Sequence, residues 1–213
     1  MGRVTRRQEC VDLEAAGNRG LGSHPRNGKR RSYRKFDGSF PVEEKTLREL
    51  VSLARMMPFA RNSQPLKFVL SCAPDWNARI FETLMWAGYL TDWPGPAPAE
   101  RPTAYIVVLI DRSISQEADI DVGIAAQTIL LSATERGLGG CMLAAVKRDI
   151  LAERLELPAH LAIALVLAIG KPAERIVLED LPSDRSIRYY RDTEGGHHVP
   201  KRALDELIFS VHC

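Results

Sequence analysis

The densest chemistry in this chain lies at Arg30-Arg31-Ser32-Tyr33-Arg34, where three guanidinium groups and a hydroxyl fall within five residues. Guanidinium forks bind phosphate through paired hydrogen bonds, and a serine hydroxyl adds a donor, so the run is suited to capturing an anion. Taken alone, the same run also reads as a solvated charge patch. Cys141 follows Gly139 and Gly140 and is a candidate nucleophile, but no basic neighbour in sequence would lower its pKa, so a buried strand thiol is the expectation. His197 and His198 are adjacent, so their rings diverge on a strand or helix; exposed loop histidines are expected rather than metal ligands. Trp86 and Trp93 flank a loop, where each either packs in the core or walls a flat ligand. No GxGxxG follows a strand, and GxxxxGK[ST], HExxH and GxSxG do not occur. A Rossmann dinucleotide site and a P-loop are therefore disfavoured.

Charge narrows the choice of anion. Residues 1–35 carry ten Lys/Arg against three Asp/Glu, net +7, while residues 36–213 carry 19 against 24, net −5. An acidic remainder with no second basic patch makes nucleic acid an unlikely partner and fits a single phosphorylated ligand better. With 213 residues, 45% hydrophobic, the chain suits one domain with a sizeable core and excludes wholesale disorder. Its longest apolar run, residues 161–170, is about half a membrane span, so no crossing is expected. Arg3, Arg6 and Arg7 are not followed by an apolar stretch, which argues against a secretory signal. Cys10, Cys72, Cys141 and Cys213 lie far apart without CxxC spacing, neither a zinc site nor a disulfide scaffold. A cytoplasmic location is the expectation. Residues 1–28 lack sustained periodicity and read as a disordered extension, with one domain over 29–213.

The elements that must position these groups follow from periodicity. Residues 41–57 carry Leu47, Leu50, Val51 and Ala54 at the spacing of an amphipathic helix, acidic at its start and stopped by Pro58. Residues 66–72 read as a strand, and 75–90 as a helix with Ile80, Leu84 and Ala87 on one face. Residues 91–102 hold four prolines and form a loop. Residues 104–110 are apolar throughout, the pattern of a strand covered on both faces. Residues 118–137 are apolar almost all round, which predicts a helix buried on every side. Strands at 141–146 and 162–169 flank a charged helix at 149–157, and a short helix is expected at 199–209. The fold class is a mixed α/β layer round one central helix.

With these residues in place, the chain resembles the FMN-dependent nitroreductase family. The resemblance rests on Arg30-Arg31-Ser32-Tyr33-Arg34-Lys35-Phe36, then Pro58-Phe59-Ala60-Arg61-Asn62-Ser63-Gln64-Pro65, then the apolar helix ending in Gly137-Leu138-Gly139-Gly140-Cys141, then Val199-Pro200-Lys201-Arg202. It covers residues 29–209. It implies an α+β fold with a mostly antiparallel sheet, in an intertwined homodimer with two FMN sites at the interface. By this similarity Arg30, Arg31, Ser32 and Arg34 hold the FMN phosphate and ribityl chain, and Arg34 reaches the pyrimidine edge, where a cation stabilises reduced flavin. Pro58, Phe59, Ala60 and Asn62 match the segment supplied by the partner subunit. Met142, Leu143, Ala144 and Ala145 match the strand end packed against the ring, and Lys201 and Arg202 match a basic contact to the phosphate.

The implied activity is hydride transfer from NAD(P)H, through the flavin, to a flat acceptor such as a nitroaromatic or quinone. The nicotinamide is then a visiting substrate, which suits a chain without a dinucleotide fingerprint. No protein acid or base is required, so no catalytic residue is assigned. Three departures stand out. Phe59 replaces a serine common in the family, the link from the 104–110 strand to the apolar helix is short, and residues 1–28 have no family match. The short link implies a more open flavin face, or a lid made from residues 86–102. Flavin destruction or reductive dehalogenation on the same fold, and a non-catalytic flavin or nucleic-acid binding module, are the alternatives.

Overall fold

The computed structural model describes residues 30–213, so the expectation for residues 1–28 lies outside the described residues. Strand β2 (Ala104–Asp111) is buried at all eight positions, as its unbroken apolar run requires. It sits inside a four-stranded antiparallel sheet of order β1-β2-β4-β3, with β1 at Leu66–Ser71, β3 at Gly139–Leu143 and β4 at Leu161–Gly170. Alternation along β2 divides the core into two halves. Ile106, Val108 and Ile110 pack with Leu47 and Leu50 of α1 (Glu44–Ala54) and with Ala125, Ile129 and Leu130 of the long apolar helix. Tyr105, Val107 and Leu109 face the other way, onto Ile80, Leu84, Trp86 and Leu151.

Helix α2 (Pro74–Phe81) ends well before the expected residue 90. The Thr83 hydroxyl donates to the carbonyl of Ile80 at 2.7 Å, and the chain then pairs with residues 145–147: Met85 N–H donates to Ala145 O, and Lys147 N–H to Thr83 O. Ile80, Leu84 and Ala87 are all buried, as their spacing suggests, but an irregular backbone with Ala87 at φ 42° delivers them. Sheet pairing has overridden the helical period.

The long apolar helix is α3 (Asp119–Glu135). Gly137, at φ 72°, ends it with the paired bonds Leu138 N–H to Ala133 O and Gly137 N–H to Thr134 O, a left-handed cap that glycine adopts without strain. Gly140 then enters β3 where an added Cβ would lie 2.5 Å from both the Ala168 carbonyl oxygen and Leu130 Cδ2. The expectation of burial on every side fails for the single chain: Ile120 is 77% exposed, and Gly123, Ile124, Gln127 and Leu131 continue that open stripe at helical spacing. Helix α4 (Arg148–Arg154) connects β3 to β4.

The tail departs furthest from expectation. Residues 199–209 do not form one helix. Val199 belongs to β7 (His197–Lys201), the central strand of a second sheet, parallel to β5 (Ile176–Asp180) and antiparallel to β6 (Tyr190–Arg191). Pro200 lies opposite Glu179 in that pairing, and only α5 (Leu204–Leu207) is helical beyond it. The short strands of this sheet carry mixed polar residues and give little periodic signal.

Candidate functional site

Backbone pairing fixes the basic run. Ser32 bridges Gly140 in parallel, and Tyr33 N–H donates to Gly140 O at 3.1 Å, so the run lies beside the start of β3. The amides of Arg34 and Lys35 both donate to the carboxylate of Glu174, the second at 3.1 Å. The other Glu174 oxygen takes Arg191 Nη2 at 3.1 Å, and the Glu174 side chain is only 2% exposed. Phe36, 1% exposed, anchors the end of the run in the core opposite Pro172.

This arrangement joins the run to the second sheet and encloses a cavity of about 290 Å³. Arg30, Arg31, Ser32 and Arg34 form one wall; Ile176, Leu178, Tyr189, His197, Val199 and Lys201 form the other. Among the described residues, four cations converge here and no carboxylate lines the wall. Burial pushes the Arg30 and Arg31 guanidinium pKa values down, with mutual repulsion adding to the effect on Arg30. Arg30 Nε and His197 Nδ1 are buried with no hydrogen-bond partner among the described residues. Repelling cations and orphaned donors are the signature of a site completed by an anion rich in acceptor oxygens. A larger cleft of about 680 Å³ runs along the open edge of β1, but its charges are Glu44 and Arg48, already paired at 2.6 Å, so it offers no net field for an anion.

The adjacent histidines take opposite roles, and neither is an exposed loop residue, which corrects the expectation. His197 is fully buried: its Nε2 receives Arg34 Nη1 at 3.2 Å, and Tyr189 packs against its ring at 5.2 Å. His198 points to the other face of β7, its Nδ1 2.8 Å from Glu179 and its Nε2 2.9 Å from Asp192. Carboxylates only accept, so these two contacts favour the doubly protonated form of the His198 ring. Hydrogen bonds to Asp192 and Glu179 raise the His198 pKa, whereas burial, then Arg34, lowers that of His197 to about 4. Acidification from pH 6.5 toward 4 therefore protonates His197 in the unfolded chain first, and stability falls across that window by on the order of 3 kcal/mol. His198 acts in reverse, stabilising fully below pH 6.5 and losing that contribution as pH rises through its folded pKa. Ring-proton NMR is expected to show one histidine titrating near 4 and one above 6.5; two normal curves would contradict these environments.

The remaining expected site residues stand apart from this cavity. Pro58, Ala60 and Asn62 are exposed, and Phe59 packs half-buried against the core. The buried carboxylate of Asp121 in α3 accepts Ala60 N–H at 3.0 Å, and Arg61, Asn62 and Gln64 all adopt φ of 50–55°, a left-handed run that only a well-held segment sustains. Met142 is half-buried and Leu143 buried, and Ala144 and Ala145 emerge at the surface beyond β3. Lys201 reaches the cavity; Arg202 is exposed and outside its wall. Cys141 is a buried strand thiol, its pKa pushed up by burial despite the nearby Arg34 and Arg30. Trp86 belongs to the core, while Trp93 stacks under Arg191 at 4.2 Å. Sequence reasoning missed His197, Tyr189 and Glu174. A lone acidic or aromatic residue in an irregular tail carries no spacing signal.

Fold and site together define an α+β protein with a cation-lined cavity between residues 30–34 and a small sheet of its tail. The nitroreductase family model matches residues 28–171, more than half of the chain, and the chain belongs to that family. Proteins of this family typically bind flavin, and membership places the chain among oxidoreductases. Among solved structures, it is similar to the nitroreductase family protein of Streptococcus pneumoniae TIGR4, at 18% identity over 87% of this chain and 98% of that one, TM-score 0.64. An FMN-dependent nitroreductase of Clostridium difficile R20291 is similar at 23% identity, over 69% of this chain and 86% of that one, TM-score 0.54. An enone reductase of gut-bacterial fatty acid saturation metabolism is similar at 18% identity, over 68% and 86%, TM-score 0.58. The α+β fold with its antiparallel sheet is the family's. No helix among the described residues is long and apolar enough to cross a membrane.

Proposed function

We propose that this chain is an FMN-dependent oxidoreductase that takes hydride from NAD(P)H and delivers it to a flat acceptor such as a nitroaromatic or quinone. The carrying observation is the cavity where, among the described residues, four cations meet without a carboxylate in the wall and Arg30 Nε and His197 Nδ1 lack partners. A dianionic phosphate answers all three features at once. Arg30, Arg31 and Lys201 would hold the phosphate, with Ser32 adding a hydroxyl. Arg34 is already bonded to His197 and lies over the Tyr189 ring at 4.8 Å, so it brings positive charge to the site from a fixed position. When bound, FMN supplies the two-electron chemistry. The chain's own task is to orient the cofactor and leave one ring face open to two successive flat substrates.

A homodimer completes this reading. The open stripe of α3, led by Ile120, and the exposed residues of segments 58–62 and 144–145 offer a second copy a surface on which to complete a shared site. The loop over residues 86–102 leans on the cavity wall, since Tyr89 N–H donates to the Tyr189 hydroxyl at 3.3 Å and their rings lie 4.9 Å apart. That contact supports its role as the cover of the site. The test is spectroscopic. Purified protein should carry or take up FMN, bleach anaerobically on addition of NADH or NADPH, and recover colour with a nitroaromatic or quinone. A protein that remains colourless in excess FMN would sink the proposal. One that holds flavin but never bleaches with either nicotinamide would remove NAD(P)H as its reductant.

A further inference from the structure

Arginine only donates hydrogen bonds, so the 3.2 Å contact from Arg34 Nη1 makes His197 Nε2 an acceptor. A neutral imidazole that accepts at Nε2 carries its single proton at Nδ1. That Nδ1–H is buried and has no acceptor among the described residues. A buried, unanswered N–H costs free energy comparable to a lost hydrogen bond, and a ligand oxygen that answered it would recover that cost. The ring stands in the cavity wall with Arg30, whose Nε is orphaned in the same way.

We propose that His197 is a binding residue of this site: its Nε2 holds Arg34 in place, and its Nδ1–H donates to an oxygen on the phosphate-bearing arm of the ligand. The inference rests on the FMN reading above and assigns a role to a residue outside the family match at 28–171. A neutral donor suits this position. Arg34, Arg191 and a protonated His198 act against a positive charge on the ring, and Glu174 acts in its favour. Burial and these cations keep the ring neutral down to about pH 4. A histidine held neutral adds a hydrogen bond to the anion without adding to the repulsion among the four wall cations, which a lysine or arginine could not do.

Nitrogen-15 NMR of the flavin-free protein at neutral pH should show His197 protonated at Nδ1 and bare at Nε2. Titration with FMN should shift the Nδ1–H resonance and slow its exchange with water. The Kd for FMN, read from quenching of flavin fluorescence, should rise about tenfold or more in His197→Phe, which has neither nitrogen. His197→Gln keeps an acceptor near the Nε2 position for Arg34 and has nothing at Nδ1; it should fold as the wild type does and show the same loss of affinity. An Nε2–H tautomer, an Nδ1–H unmoved at saturating FMN, or His197→Gln binding FMN within about twofold of wild type would each overturn the inference while leaving the FMN reading intact. Wild-type protein that takes up no FMN removes that reading instead. Inorganic phosphate then becomes the probe in the same titration, and an unmoved Nδ1–H there overturns the role of His197 as well.

Discussion

Replacing Arg30 and Lys201 together by alanine is expected to strip FMN from the purified protein without unfolding it. The two cations reach the cavity from opposite ends of the described chain. Charge-assisted hydrogen bonds contribute roughly 1.5–3 kcal/mol each, so losing both should raise the Kd for FMN by about 10²- to 10⁴-fold. The effect on the flavin-free protein should have the other sign or none. Burial already pushes the Arg30 pKa down, with repulsion from Arg31 adding to this, and no wall carboxylate compensates either cation. Removing cations from such a site relieves repulsion, so the denaturation midpoint of the flavin-free variant should stay level or rise. Lys45→Ala, altering an exposed cation outside the wall, is the control and should retain flavin. A double variant that purifies with full flavin places the phosphate elsewhere.

Glu174→Ala is expected to be the most damaging single change outside the hydrophobic core. One nearly buried carboxylate accepts the amides of Arg34 and Lys35 and pairs with Arg191, tying the basic run to the second sheet. Its removal leaves two backbone donors and a guanidinium only 16% exposed without their acceptor. Breaking a buried pair from one side typically costs about 3–5 kcal/mol, which for a chain of this size lowers the melting temperature on the order of 10 °C. Flavin retention should fall with it, because Arg30, Arg31 and Arg34 lose their fixed positions. Glu174→Gln keeps an acceptor oxygen for the amides and should recover part of the loss. A Glu174→Ala protein that melts within about 2 °C of wild type would show that the pairing of Ser32 and Tyr33 with Gly140 holds the run unaided.

The elements that read correctly from sequence are those whose signal is local and strong. The unbroken apolar run of β2 and the stripe of α1 each dictate burial in one way only, and the glycine after α3 marks its end. The basic run was legible as a cluster of guanidinium groups suited to an anion, but taken alone it reads equally as a solvated charge patch. Residues 75–90 and 118–137 show where locality runs out. In the first, the buried residues were right, but pairing with residues 145–147 replaced the helix. In the second, the apolar pattern announced buried surface without saying whether this chain or a second copy covers it.

What the sequence determined by itself was a dense cluster of arginines suited to an anion, the lack of a dinucleotide fingerprint, and a mixed α/β layer; the antiparallel sheet followed from the family resemblance. What only the tertiary structure decided was the other half of the site. Tyr189 and His197 reach Arg30 across more than 150 residues of intervening chain, beside and on a small sheet whose mixed strands pair in parallel as well as antiparallel. Neighbouring histidines had their pKa values pushed in opposite directions because a strand turns successive side chains to opposite faces, one toward Arg34 and one toward two carboxylates. Residue identity is local, whereas the charge state of a histidine is set by whatever the fold brings against it.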